Sequence, residues 1–184
     1  MIWFTADWHL AHENIIEYCD RPFKNTGEME RTILGRYKSR VKPRDLVYFL
    51  GDLSLRSADS LVWYTKLLHG LPGRKIMIMG NHDKMTPFQY VDAGFLSVHT
   101  TLTVYTSRTR RVQLVHDPMF LHFDRFADAC CGHVHNTLPK VIGPKNNIIN
   151  VGVDVWNFFP VSEDEVEEIF GARYEESEAQ TEFD

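Results

Sequence analysis

Asp7-Trp8-His9, Gly51-Asp52, Gly80-Asn81-His82-Asp83, His116-Asp117 and Gly132-His133-Val134-His135 are five short polar clusters strung in order along a chain of 184 residues. From them Asp7, His9, Asp52, Asn81, His116, His133 and His135 offer seven oxygen and nitrogen ligands, enough for two divalent metal ions. Carboxylate, amide and imidazole donors without a thiolate suit manganese, the leading expectation, and also iron, zinc, nickel or cobalt. His82 stands beside a candidate ligand but outside the set, where an imidazole can move a proton near neutral pH. Taken alone, Asp52 after a glycine reads as a turn residue, and so does His116 before Asp117-Pro118. Their joint appearance in order is what singles them out.

Four clusters follow apolar runs of strand character. Met1 to Phe4 leads into Asp7, Asp45 to Leu50 into Asp52, Lys75 to Met79 into Asn81, and Arg111 to Val115 into His116. Ligands gather at the carboxyl ends of strands because the loops there converge on one rim. Between the strands the pattern predicts a helix from Glu13 or Asn14 to Cys19. A second opens on a capping box of Asn25 and Glu28 and ends before Pro43. A third is capped by Ser57 and closes at His69-Gly70. In the second half, Phe95 to Tyr105 and Arg111 to Val115 read as a hairpin around Thr106 to Arg110. Short strands follow near Ala127 to Cys131 and Asn147 to Val153. Helical crossovers followed by strand runs predict an α/β fold with two sheets packed face to face and helices outside. Residues 1–174 form one domain in this reading, and the acidic residues 175–184 a flexible tail.

At 43% hydrophobic residues the chain builds its own core. Met1 opens directly into a strand and no apolar run reaches the length of a membrane span, so the expected setting is cytoplasmic. Cys19, Cys130 and Cys131 form no pairing framework and read as free thiols, with Cys130 or Cys131 near enough to Gly132 to approach the clusters. A net charge of −5 argues against a general nucleic-acid binder. Two divalent cations would bring that −5 to about −1 and concentrate positive charge where an anionic substrate is needed.

The five clusters resemble the signature of the calcineurin-like metallophosphoesterase superfamily, in order, spacing and residue type, from Met1 to about Pro160. Trp8 to Ile16, Tyr18-Cys19 and Arg21-Pro22-Phe23 resemble its small single-domain bacterial and phage members. Ala11 departs from that type, which usually has a glycine before the histidine that here is His12. The resemblance implies a four-layer fold of two mixed β-sheets sandwiched between helices, and a dinuclear metal centre. It places Asp7, His9 and His135 on one ion, Asn81, His116 and His133 on the other, Asp52 between them, and His82 as general acid.

Two ions held roughly 3.5–4 Å apart grip both the attacking and the leaving oxygen of a phosphoryl centre, and a water between them becomes acidic enough to attack. Asp52 can bridge by giving one oxygen to each ion, and His133-Val134-His135 can serve both ions if extended, since alternate residues share a face. Asp83 either orients the His82 ring or caps the next helix. His12 reads as a phosphate or carboxylate contact or as a helix start. Arg21 and Arg56 read as bidentate phosphate contacts or solvated loop residues, and His122 as facing the cleft. The expected activity is hydrolysis of a phosphodiester or nucleotide-like ester, with a small phosphate ester as the partner. A non-catalytic scaffold of the same fold, binding a protein partner, is the alternative. Nucleic acid is not favoured by the charge, and the oligomeric state is left open.

Overall fold

The structure, a computed structural model, describes residues 1–121, 128–142 and 147–181. Two five-stranded mixed sheets pack face to face. In the first, β1 (Ile2–Thr5), β2 (Leu46–Phe49), β3 (Arg74–Ile78) and β4 (Ser97–His99) run parallel, and β10 (Val161–Ser162) adds antiparallel to β1. The second sheet has the order β5 (Thr101–Tyr105), β6 (Arg111–Val115), β7 (Asp128–Cys131), β9 (Asn147–Asn150), β8 (Val141–Ile142), with β6, β7 and β9 parallel.

Strand periodicity sorts the first sheet's side chains. Phe4, Tyr48 and Ile78 enter the space between the sheets beside Val112, Leu114, Cys130 and Ile149, while Trp3, Val47, Phe49 and Met77 face the other way. A strand buried on both faces reads as a continuous apolar run, which is why these strands were legible. On that outer face lie α1 (Asn14–Tyr18), α2 (Thr26–Arg40), α3 (Leu61–His69) and α4 (Pro87–Ala93). Helix α2 buries Met29, Ile33 and Tyr37, spaced four apart, and α3 buries Tyr64 and Leu68. Each such large side chain removed from water contributes about 1.5–3 kcal/mol. Helix α5 (Glu163–Thr181) starts on a capping box in which Ser162 Oγ accepts from Glu165 N (3.2 Å) and Glu165 Oε2 from Ser162 N (2.8 Å). It inserts Val166 and Phe170 into the core between the sheets. Among the described residues no helix is long and apolar enough to cross a membrane.

Several local expectations change. The run Phe95 to Tyr105 is not one hairpin arm: Ser97–His99 pairs with β3 in the first sheet, and after Thr100 the chain crosses to pair with β6 in the second. An unbroken strand pattern does not encode which sheet edge it joins. Ser57 makes no capping bond, and a 3₁₀ turn at Ala58–Ser60 precedes α3. Asn25 does cap α2, accepting from Glu28 N, but the Glu28 carboxylate reaches back to Lys24 N (2.8 Å) and so does not close the box. The acidic stretch continues α5 without a break as far as Thr181, in keeping with the helix propensity of its Glu, Ala and Gln residues.

Candidate metal centre

The parallel strands of both sheets end at one rim, and their loops are tied together there. Beyond β1 and β2 the ladder continues as Asp7 N to Gly51 O (3.0 Å), His9 N to Asp52 O (2.9 Å) and Leu10 N to Leu53 O (3.1 Å). Within the second sheet Gly132 N donates to His116 O (2.9 Å), and across the sandwich His133 N donates to both oxygens of the Asp7 carboxylate, each at 3.0 Å. Asp7, His9, Asp52, His133 and His135 all have left-handed backbone, with φ of 59°, 49°, 55°, 71° and 46°. Such conformations are unfavourable for non-glycine residues and concentrate where function holds them. Ala11 is left-handed too, at φ 62°, a conformation that glycine adopts without strain.

These turns converge the side chains. Asp52 Oδ2 lies 3.3 Å from His9 Nε2 and 3.4 Å from His116 Nε2. Asn81 Oδ1 is 2.9 Å from His116 Nε2 and 3.1 Å from His133 Nδ1. Asp7, His9 and His135 offer ligand atoms within 4.8 Å of one another, as do Asp7, Asp52 and His116. Two expectations are corrected. Only Oδ2 of Asp52 faces both halves of the cluster, because Oδ1 accepts the His82 backbone N–H (2.9 Å). His133 and His135 part because left-handed residues flank a helical Val134, not because an extended segment alternates.

A layer of buried groups fixes these donors. The Asp83 carboxylate neither orients the His82 ring nor caps a helix. It accepts the backbone N–H groups of Gly80 (2.7 Å), Asp52 (2.9 Å) and Leu53 (3.2 Å), and so ties the loop after β3 to the loop after β2. The helix that follows is capped by Thr86 instead. Gly80 has to be glycine, since a Cβ there would lie 2.2 Å from Asp52 Oδ1. Asp154, two residues beyond Gly152, was not singled out in the sequence. Its Oδ2 lies 2.8 Å from His135 Nδ1 and its carboxylate takes a bidentate pair from Arg21. The signal for it was available: a carboxylate just past the last apolar strand, at the same rim. Arg21 is thereby corrected from a phosphate contact to a buried brace, for its remaining donors reach Trp8 O (3.0 Å) and Asp7 O (2.8 Å). Cys19 also comes close to His135 and Asp154, but the guanidinium already holds Asp154, so that group is no cation site.

The electrostatics are those of a place built for cations. Burial pushes the Asp7 carboxyl up, against the pull of His135, His116 and His9. For Asp52 burial is outweighed by the His116 and His9 rings beside it, which hold it well below the usual range. His116 is raised to about 9, burial being overcome by Asp52 and Asp7. His135 is raised to about 10, burial being overcome by Asp154. Protons thus sit where the carboxylates demand positive charge, and metal ions displace such protons. His9 Nε2 is fully buried, and its approach to Asp52 Oδ2 at 3.3 Å lacks hydrogen-bonding geometry, which suits an atom that ligates an ion. The seven donors therefore fit divalent metals. His116 Nδ1 lies 2.7 Å from Leu50 O, an arrangement that fixes the tautomer and leaves Nε2 to ligate.

His82 and His12 border this cluster, the His82 ring 5.3 Å and the His12 ring 5.3 Å from His9, and burial lowers both. Arg56 is exposed and stacks on Trp63 at 4.5 Å. His122 lies outside the described residues. Cys130 and Cys131 are fully buried in the second sheet, and burial raises both thiols, so they are unreactive packing groups.

Comparisons with known proteins agree with this geometry. The family model for calcineurin-like phosphoesterases matches residues 1–163. An uncharacterized protein of Methanocaldococcus jannaschii is 37% identical, over 89% of this chain and 87% of its own. The gene 66 protein of Mycobacterium phage D29 is 28% identical, over 91% of this chain and 94% of its own. A crystal structure of an Aquifex aeolicus protein of unknown function superposes with a TM-score of 0.70 at 26% identity, covering 92% of this chain and 98% of that one. With a matching model over most of its length and a rim of histidines and carboxylates suited to metal, the chain belongs to the calcineurin-like phosphoesterase family.

Proposed function

We propose that this protein hydrolyses phosphodiesters with two divalent ions, manganese foremost, held by Asp7, His9 and His135 on one side and Asn81, His116 and His133 on the other. The observation that carries this reading is Asp52 Oδ2, which faces His9 at 3.3 Å and His116 at 3.4 Å, so that one carboxylate oxygen serves both halves. The ions, when bound, supply Lewis-acid charge on the phosphoryl oxygens and acidify the attacking water. The chain supplies the rest. His82, half-buried and next to Asn81, gives its ring proton to the leaving oxygen, while its backbone N–H holds Asp52. Asp83, Arg21 and Asp154 keep the donor loops in register.

Diesters are favoured over monoesters by charge. A monoester carries nearly two negative charges at neutral pH and calls for an additional cation. Arg21 is committed to Asp154, and Arg56 to Trp63. Three free, buried cysteines support a reducing, cytoplasmic setting.

The test is hydrolysis of a chromogenic diester and its monoester counterpart, before and after chelation. Activity is lost with chelator, restored by manganese, and greater on the diester. No turnover with any divalent ion on either ester would favour a non-catalytic scaffold that binds a protein partner.

A further inference from the structure

Where the chain crosses from the first sheet to the second, a cavity of about 830 Å³ opens beside the candidate centre, and Asn81 and His116 belong to its wall. That volume lies within the range of sites for small organic molecules and far exceeds a phosphate group. Met79, Val115, Met119, Phe120 and Leu121 make most of the lining apolar. Met119 and Phe120, on the turn Pro118–Phe120, are 81% and 69% exposed. Large apolar side chains held out to water beside a polar site mark a surface that receives a ligand.

The polar part of the wall narrows the choice. Besides the candidate ligands it offers Thr100, Thr101 and Asp117, and no lysine or arginine among the described residues. The Asp117 carboxylate lies 3.7 Å from His133 Nε2. Away from the candidate ligands, a second phosphate or carboxylate here would meet the Asp117 carboxylate and, among the described residues, no lysine or arginine. A long aliphatic chain would gain nothing from the hydroxyls. An uncharged ring meets a phenyl face, thioether sulfurs that favour aromatic partners, and the Thr100 hydroxyl for a heteroatom.

Resting on the phosphoesterase reading above, we propose that this cavity seats an uncharged aromatic or heteroaromatic ring esterified to the phosphate, so that the substrates are aryl or nucleoside-like esters and not polyanions. Phe120 and Met119 are its specificity-determining residues.

The experiment measures binding of two non-hydrolysable anions, phenylphosphonate and methylphosphonate, to the manganese-loaded protein by calorimetry. Phenylphosphonate is expected to bind about tenfold more tightly, and a phenylphosphonate bearing a ring carboxylate less tightly than the plain one. Phe120→Ala and Met119→Ala should each reduce the phenyl preference severalfold while methylphosphonate affinity stays the same. Both side chains are largely exposed, so the fold is retained, and circular dichroism checks it. Equal affinity of the two phosphonates in the unaltered protein, or a preference untouched by both substitutions, overturns the ring assignment and leaves the phosphoesterase reading standing. If neither phosphonate binds, the ring assignment falls, and the phosphoesterase reading is decided separately by hydrolysis of the chromogenic diester before and after chelation.

Discussion

Arg21 and Asp154, 133 residues apart in sequence, form a bidentate ion pair with contacts of 2.7 and 2.9 Å, both side chains out of contact with water. The same guanidinium donates to the carbonyls of Asp7 and Trp8, and the same carboxylate meets His135. The pair therefore connects the loop after β1 to the turn after β7. Removing one member leaves a buried charge without its partner, which costs about 3–5 kcal/mol. Arg21→Ala should lower stability by that amount in denaturant unfolding and weaken metal binding. A phosphate contact would behave oppositely, raising KM at unchanged stability.

Gly80→Ala should weaken manganese binding by about 10–100-fold, the usual effect of disturbing the groups that orient ligands. A Cβ there meets the Asp52 carboxylate and its backbone nitrogen, at 2.2 and 2.6 Å, and one or the other must move. Titration calorimetry with manganese measures the loss. Unchanged affinity would mean that Asp52 is not needed to hold the ions.

His82→Ala keeps the backbone N–H that holds Asp52 Oδ1 and removes only the ring. It should retain both ions and lower kcat by about 10²–10⁴-fold, most for esters with poor leaving groups. A uniform decrease across leaving groups, or loss of metal, would rule out the proton-donor role.

At α5, burial alone would raise the Glu165 carboxyl, but hydrogen bonds from Ser162 and the nearby Arg40 guanidinium hold it below its ordinary 4.5. Its contribution to stability is present above that value and is lost as pH falls through the lower folded pKa. Glu165→Gln should therefore be less stable by about 1 kcal/mol or less at neutral pH, and the difference should fade in acid. Thermal unfolding from pH 7 to pH 3 measures both.

The chain alone carried the strand ends and the residues that follow them, because continuous apolar runs are local signals and Asp7, Asp52, Asn81 and His116 stand within three residues of their ends. Local chemistry also carried the Asn25 cap of α2, but not a cap at Ser57. What local sequence lacks is partnership at a distance. Nothing near Arg21 announces that its charge is consumed by Asp154, and nothing near Asp83 announces that it binds backbone on another loop. Likewise the run Phe95 to Tyr105 does not say that it changes sheets at Thr100 and opens a cavity there. The residue types and their order came from the sequence. Which of them gather at the rim and which brace the loops were decided by tertiary packing, because burial commits each charged group to whatever partner the folded chain brings within reach.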